Sequence, residues 1–539
     1  MVEQEAARYV EALAEAVRGH ELAQRRAWWD LATGEGVEEA ARVAEASALA
    51  IDDLYGRPEE AARVRGWMEE LEAGSLLRRQ LERVAREQAR CAGPGELRRE
   101  IVREEVALQA RYHGFRGRDG SGEELSGPAI EAVFEGERDV ARRREAWEAS
   151  MQVGDAVAEA VRRLAGLRNE LARAQGHRDG FAMGLAHQGL DEGWLMGLLG
   201  RIERDTREPY RVRKARLDGR LADRFGVAED ELGVWAGADP FFQRSPGLED
   251  VGEALESWLA GRDPADLATR FLDGLGMNLR PVMASSDLEP RAGKSQHAFC
   301  VHLDRSGDVR ILSNNRRGRT WAMTMLHEGG HAVYERYLDP GLPWLLREPA
   351  HTLVTEAVAM WLGRQAMDPE FLVEFAGAPA DEVTPLAAAL RREQAFEMLL
   401  FARWVLVMVH FERALYADPQ AGDLAETWYA LKQRYQLVEV PPDRAGREDW
   451  AAKIHLALAP VYYPNYLLGE LLASQLRAVL LEESGERTLS DNLAAGELLI
   501  ARVFRPGARL PWERLVEEAT GEALEPRHFL REFAGRVSP

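Results

Sequence analysis

Apolar residues return every three or four positions along most of this chain, a period that fits an α-helix and not the alternation of a strand. Residues 1–90 carry it clearly, with Tyr9, Leu13 and Val17 spaced among Glu, Arg and Ala. Ala and the straight-chain residues add propensity to pattern, and the charged faces read as solvated helix surface. Breaks rich in Gly, Pro or Asp fall at 92–95, 117–122 and around 237–247, as connections do. One segment departs from the period. Residues 296–313 read QHAFCVHLDRSGDVRILS, two short β-prone runs about the turn signal Ser306, Gly307 and Asp308, which predicts a small hairpin. The fold class expected is mainly α, with a small β-hairpin beside the strongest motif in the chain.

Charge narrows the partners. Lys and Arg total 69 and Asp and Glu 90, a net charge of −21. That argues against nucleic acid, whose binding needs basic patches, and disfavours an anionic membrane surface. No run reaches the roughly 18 uninterrupted apolar residues of a membrane span. The acidic, amphipathic start MVEQEAARYVEALAEAV lacks the form of a secretion signal. Two cysteines far apart, Cys91 and Cys300, suit a reducing compartment. A cytoplasmic protein is expected. Lysine is scarce: only Lys214, Lys294, Lys432 and Lys453 occur, and every other basic side chain is Arg.

Residues 321–338, WAMTMLHEGGHAVYERYL, hold the densest chemistry. His327 and His331 are four apart and project from one helix face, a turn from each other. Two neutral imidazoles so placed can bind one zinc ion. Glu328, beside the first, suits a general base rather than a ligand. Gly329 and Gly330 each weaken a helix by about 1 kcal/mol relative to Ala, a cost that makes sense where another backbone or a substrate approaches closely. A catalytic zinc needs three protein ligands and a structural one four. Glu356, 25 residues beyond His331, is the candidate third. It sits among Val354, Ala357, Val358 and Met360 on a segment, 347–364, that reads as an amphipathic helix. An unpaired carboxylate would be costly in that apolar setting. The alternative for a lone Glu on a helix is surface charge.

HEGGHAVY followed by REPAHTLVTEA resembles the peptidyl-dipeptidase A (angiotensin-converting enzyme) family, in which an Arg-Glu pair precedes the Glu ligand by nine residues, as Arg347 precedes Glu356 here. The resemblance continues in REAWEASMQVG, LRNELARAQG, WYALKQRYQLVEVPPDR, KIH and YYPNY, and spans about 140–476. The hairpin and YYPNYLLGELLASQL are also similar to the carboxypeptidase Taq family, and GKSQHAFC to the oligoendopeptidases related to thimet oligopeptidase. The resemblance implies a two-lobed helical metallopeptidase with a deep central cleft and one Zn2+ per chain. It divides a single large body into an N-terminal helical lid region at 1–140, a catalytic core at 141–476 and C-terminal helices at 477–539.

Zinc-assisted attack on an amide creates an oxyanion that needs a further donor, and His455, Tyr462, Tyr463 and Tyr466 offer such groups. By the resemblance, His455 and Tyr466 are catalytic donors and Tyr463 contacts substrate. One extra residue separates His455 from the tyrosine pair, which leaves Tyr462 a rival for Tyr463. The resemblance also makes His297 and Ala298 a substrate-binding strand, pairing with the bound peptide as an added strand does. Lys453 resembles the family's binder of the substrate's C-terminal carboxylate. Gly237 stands where its partner Gln is sought, Asn465 where the family has a chloride-binding Arg, and Met360 where it has an Asp. No strong chloride activation is expected.

Three functions follow. The first is zinc-dependent hydrolysis of short oligopeptides, as a peptidyl-dipeptidase, a single-residue carboxypeptidase or an oligoendopeptidase. The second is a non-catalytic binding protein on a peptidase fold. The third is a metal-dependent hydrolase of another amide. Oligomeric state and side-chain preference are not encoded in any motif found.

Overall fold

The computed structural model describes residues 1–439 and 441–535. The chain is mainly α-helical, and the described residues contain two sheets of two strands each. The expected hairpin pairs Phe299–His302 with Val309–Leu312, antiparallel, about the turn at Ser306, Gly307 and Asp308. The second sheet, Gly117–Arg118 with Glu124–Leu125, forms at the 117–122 break. It is too short to leave a periodic signal.

The 1–90 pattern becomes four helices, Val2–Thr33, Val37–Tyr55, Pro58–Glu70 and Leu76–Arg90. Local chemistry places their ends. Gly34 closes the first in the left-handed region at φ 81, Pro58 opens the third, where its missing N–H costs nothing, and the Ser75 hydroxyl accepts from the Arg78 N–H at the start of the fourth. Val10, Leu13 and Val17 enter a core with Tyr55, Val64, Trp67, Leu81 and Val84, and Tyr9 packs against it.

Two compact units emerge, each built from separate stretches of sequence. The first comprises Met1–Ala92, Val251–Leu390 and Leu468–His528. The second comprises Gly93–Asp250, Arg391–Leu467 and a short stretch from Phe529. Glycine and proline punctuation marks local breaks only, so it does not reveal which distant stretches pack together. The helices Ala380–Ala417 and Tyr463–Ser484 each run through a unit boundary. Ala380–Ala417 is long and apolar enough to cross a membrane by length and composition, and 72% of its apolar window is buried within the protein. It is a core helix.

Candidate active site

The histidine motif lies on helix Arg319–Arg336 in the first unit. Gly318 precedes it at φ 121, and the Glu256 carboxylate accepts from the Arg319 N–H at 3.1 Å. Negative charge there complements the helix dipole. A Cβ on Gly318 would stand 2.8 Å from that carboxylate. The glutamate helix, Thr352–Gly363, is capped by the His351 ring, which accepts from the Leu353 N–H at 3.0 Å. This second helix is shorter than the 347–364 pattern implies. Nor is it amphipathic: Leu353, Val354, Ala357, Val358, Ala359, Trp361 and Leu362 are all buried. A helix covered on every side has no polar stripe to read.

The two helices pack backbone to backbone. A Cβ at Gly330 would lie 2.8 Å from the Ala359 Cα, and one at Gly363 would lie 3.4 Å from the His327 Cβ. Gly329 faces Leu272 and Leu279. The helix-weakening glycines of HEGGH thus admit a neighbouring backbone, which aligns Glu356 with the histidines. One ligand atom each from His327, His331 and Glu356 lies within 4.8 Å of the other two. Glu356 is 7% exposed, and its Oε2 is 3.9 Å from the His327 Nε2. Burial holds His327 down at about 4 and His331 well below the ordinary imidazole range. Both are therefore neutral at pH 7, as ligands must be. This donor set, two neutral imidazoles and one carboxylate, fits zinc with a coordination place left open.

Thr355 was not legible in the sequence. Its Oγ1 is 2.7 Å from the His331 Nδ1, which leaves Nε2 for a metal. It supplies an orienting partner for a candidate ligand histidine. Glu328 is 7% exposed. Burial first, then the charge of Glu356, pushes its carboxyl up to about 8, against a hydrogen bond from the Cys300 backbone. That bond ties the acid to the hairpin strand.

His297 and Ala298 precede that strand instead of lying in it, since pairing begins at Phe299. The physical reason is competition. Beyond Leu312 the opposite strand turns to another partner: the Ser313 N–H donates to the Asp287 carbonyl at 2.9 Å and the Asn315 N–H to the Leu288 carbonyl at 2.8 Å. His297 is exposed and Ala298 half-buried.

The remaining candidates gather in the second unit. Lys453 is 6% exposed, and its ammonium donates to the Gln243 Oε1 at 3.1 Å. The rings of Phe241, Trp404 and Tyr463 surround it at 4.8, 5.4 and 5.8 Å. Among the described residues no carboxylate lies within ion-pair distance of it, and burial lowers it to about 8. A Gln does accept from Lys453, although it is not at 237, where one was sought, but at 243. It lies 210 residues from Lys453, and an irregular loop gives no period to count. Asp239 builds that loop, accepting from the N–H groups of Phe241, Gln243 and Arg244 at 2.9, 3.0 and 3.0 Å. All four lysines of the chain prove buried.

His455 opens the short helix His455–Leu458. Its ring is 5.2 Å from that of Tyr463. Tyr463 is buried, and its hydroxyl accepts from the Trp404 indole at 3.1 Å. Tyr466 touches both rivals, with ring separations of 5.0 Å to Tyr462 and 5.5 Å to Tyr463. Asn465 is buried and donates to the Gln188 Oε1 at 2.6 Å.

Residues 285–534 match the family model described as angiotensin-converting enzyme. Carboxypeptidase 1 of Bacillus subtilis (strain 168) is 25% identical over 276 residues, covering 46% of this chain and 54% of that protein. Thermostable carboxypeptidase 1 of Thermus thermophilus is 28% identical over 272 residues, covering 45% and 52%. The chain spans about half the length of the curated relatives it matches. The family match contains His327, Glu328, His331 and Glu356, and both bacterial relatives are named as carboxypeptidases.

Proposed function

We propose that this protein is a zinc metallopeptidase that shortens oligopeptides from the carboxyl end. The observation that carries the hydrolytic reading is the cluster of His327, His331 and Glu356 with an acid, Glu328, next to the first ligand. Bound there, zinc would supply Lewis-acid polarisation of the scissile carbonyl and of water.

The chain's own residues do the rest. With the positive charge of a bound ion beside it favouring its ionised form, Glu328 would take the proton of the attacking water and pass it to the leaving amine. Thr355 holds the His331 ring in the tautomer that presents Nε2. By the resemblance, His455 and Tyr466 are the candidate donors to the developing oxyanion. Tyr463 and Tyr462 are the candidate substrate contacts beside them, and His297 and Ala298 a candidate backbone contact for the peptide. Lys453 with Gln243 binds the terminal carboxylate. An ammonium has three donors; this one has a single neutral acceptor and a ring-lined, low-dielectric setting, where an anion gains most.

Release of two residues per step is the mode favoured by the family match and by the Lys453–Gln243 pair. Release of one is favoured by the names of the two relatives. A ladder assay on a short peptide with metal-loaded protein decides: losses in pairs support the first and losses of single residues the second. Internal cuts, or unchanged cleavage of C-terminally amidated peptide, would reject an exopeptidase. Protein with stoichiometric metal that cuts nothing would leave a binding role on this fold. A cytoplasmic location belongs to the same proposal, and fractionation of the native cell checks it.

A further inference from the structure

We infer that Glu412 is a positioning residue that clamps a left-handed turn at Val461 and so sets which tyrosine stands beside His455. The inference rests on the proposed peptidase reading for its functional meaning. Val461 has φ 56. A β-branched side chain in that region is a genuine outlier, and such backbone persists only where its surroundings over-determine it.

The surroundings do so from several directions. The Val461 N–H donates to the Glu412 Oε1 at 2.7 Å, and the Val461 carbonyl accepts from the Gln188 Nε2 at 3.0 Å. The Val461 side chain seats on Gly184, where a Cβ would stand 2.6 Å from its Cγ2. Four residues earlier, the Ala457 carbonyl accepts from the Arg168 guanidinium at 2.6 Å. Arg168 also bonds the Tyr416 hydroxyl, and Asn169 donates to the Tyr416 carbonyl at 2.7 Å. These two residues belong to the LRNELARAQG motif, to which the proposed chemistry gives no role. All of them lie in the second unit.

The turn falls between His455 and the tyrosines, in the stretch that holds one more residue than the family spacing. The left-handed residue turns the chain just before helix Tyr463–Ser484 begins. Tyr463 is thereby the first helical residue, seated between His455 and the Trp404 indole, and Tyr462 is left outside the helix. Glu412 is buried, 1% exposed, and takes no part in the proposed chemistry. Burial pushes its carboxyl up to about 8. Near pH 7 it is mostly uncharged, which makes Gln a fair replacement.

The test compares metal-loaded wild type, Glu412→Leu, Glu412→Gln and Gly184→Ala on a free-acid peptide, with metal affinity and thermal midpoint measured alongside. Glu412→Leu removes the acceptor. Gly184→Ala improves the local helix yet drives a methyl into Val461. Both should lower kcat about 100-fold, the cost of a displacement near 1 Å, with metal affinity unchanged. Glu412→Gln should restore most of the rate. Equal kcat in wild type and Gly184→Ala would overturn the inference even if Glu412→Leu fails to fold. Should wild type cleave nothing, the peptidase reading fails instead, and a crystal structure of Gly184→Ala judges the turn. Tyr463 displaced from Trp404 supports the clamp, and Tyr463 unmoved overturns it.

Discussion

The candidate metal cluster and the lysine–tyrosine cluster position their side chains by different means. In the first unit, His327, His331 and Glu356 ride on two regular helices brought backbone to backbone by Gly330 and Gly363. Their placement follows from helical period plus one close packing contact. In the second unit, Lys453, Gln243, His455 and Tyr463 ride on a loop, a short turn and the start of a helix. Their placement depends on buried groups that each satisfy a specific atom. The first design tolerates distant change and is unforgiving at the ligands. The second spreads its tolerance over many partners. If the peptidase reading is right, variants should therefore separate into losses of chemistry and losses of binding.

Glu328→Gln should have the largest effect. It keeps the shape beside His327 and removes the base, so kcat should fall about 10³-fold, within the usual range for a general acid–base group, while bound metal stays stoichiometric by atomic emission. A rate within tenfold of wild type would move the base elsewhere and break the first half of the comparison.

Lys453→Met should come next, and it should act on binding. Removing one partner of a buried charge pair costs roughly 3 kcal/mol, so KM for free-acid peptides should rise about 100-fold with kcat little changed. A matched loss on amidated peptides would mean that the lysine supports structure and does not read a carboxylate.

Thr355→Val returns to the first unit. The change keeps size and removes the oxygen 2.7 Å from the His331 Nδ1. Losing such an orienting partner costs about 10–100-fold in metal affinity, measurable by competition with a chromophoric chelator. Thr355→Ser should retain the affinity. Equal affinity in all three proteins would show that helix packing alone orients the ring.

The contrast also explains what the sequence could disclose. His327 and His331 were legible because helical period turns a spacing of four into shared direction, and Glu356 because a carboxylate amid Val and Ala had to be partnered. The hairpin was legible from its turn residues. Thr355 was not, because nothing in one chain tells which face of the second helix meets the first. Gln243 was not, because its approach to Lys453 depends on the irregular loop that Asp239 caps. Lys453 stood out through the KIH resemblance and through composition, as one of four lysines in a chain of arginines. The surplus residue before Tyr463 was visible as a count, while the left-handed turn within that stretch required the backbone.

The smallest effect is one of pH, and it sharpens the account of Lys453. Burial holds this ammonium at about 8, with Arg244 acting in the same direction and Asp239 against it. A depressed lysine is charged below its pKa and neutral above. Carboxylate binding should therefore be at full strength at pH 7 and fade as pH rises through 8. In the free enzyme the charged fraction falls about tenfold per unit above the pKa, and KM for free-acid peptides should rise with the same slope. An unperturbed lysine, near 10.4, would hold KM flat to about pH 10. The rising limb should vanish in Lys453→Met, whose KM is high but insensitive to pH, because no titrating cation is left to lose. A limb that survives in that variant would assign the titration to another group and free Lys453 from the role of anion binder.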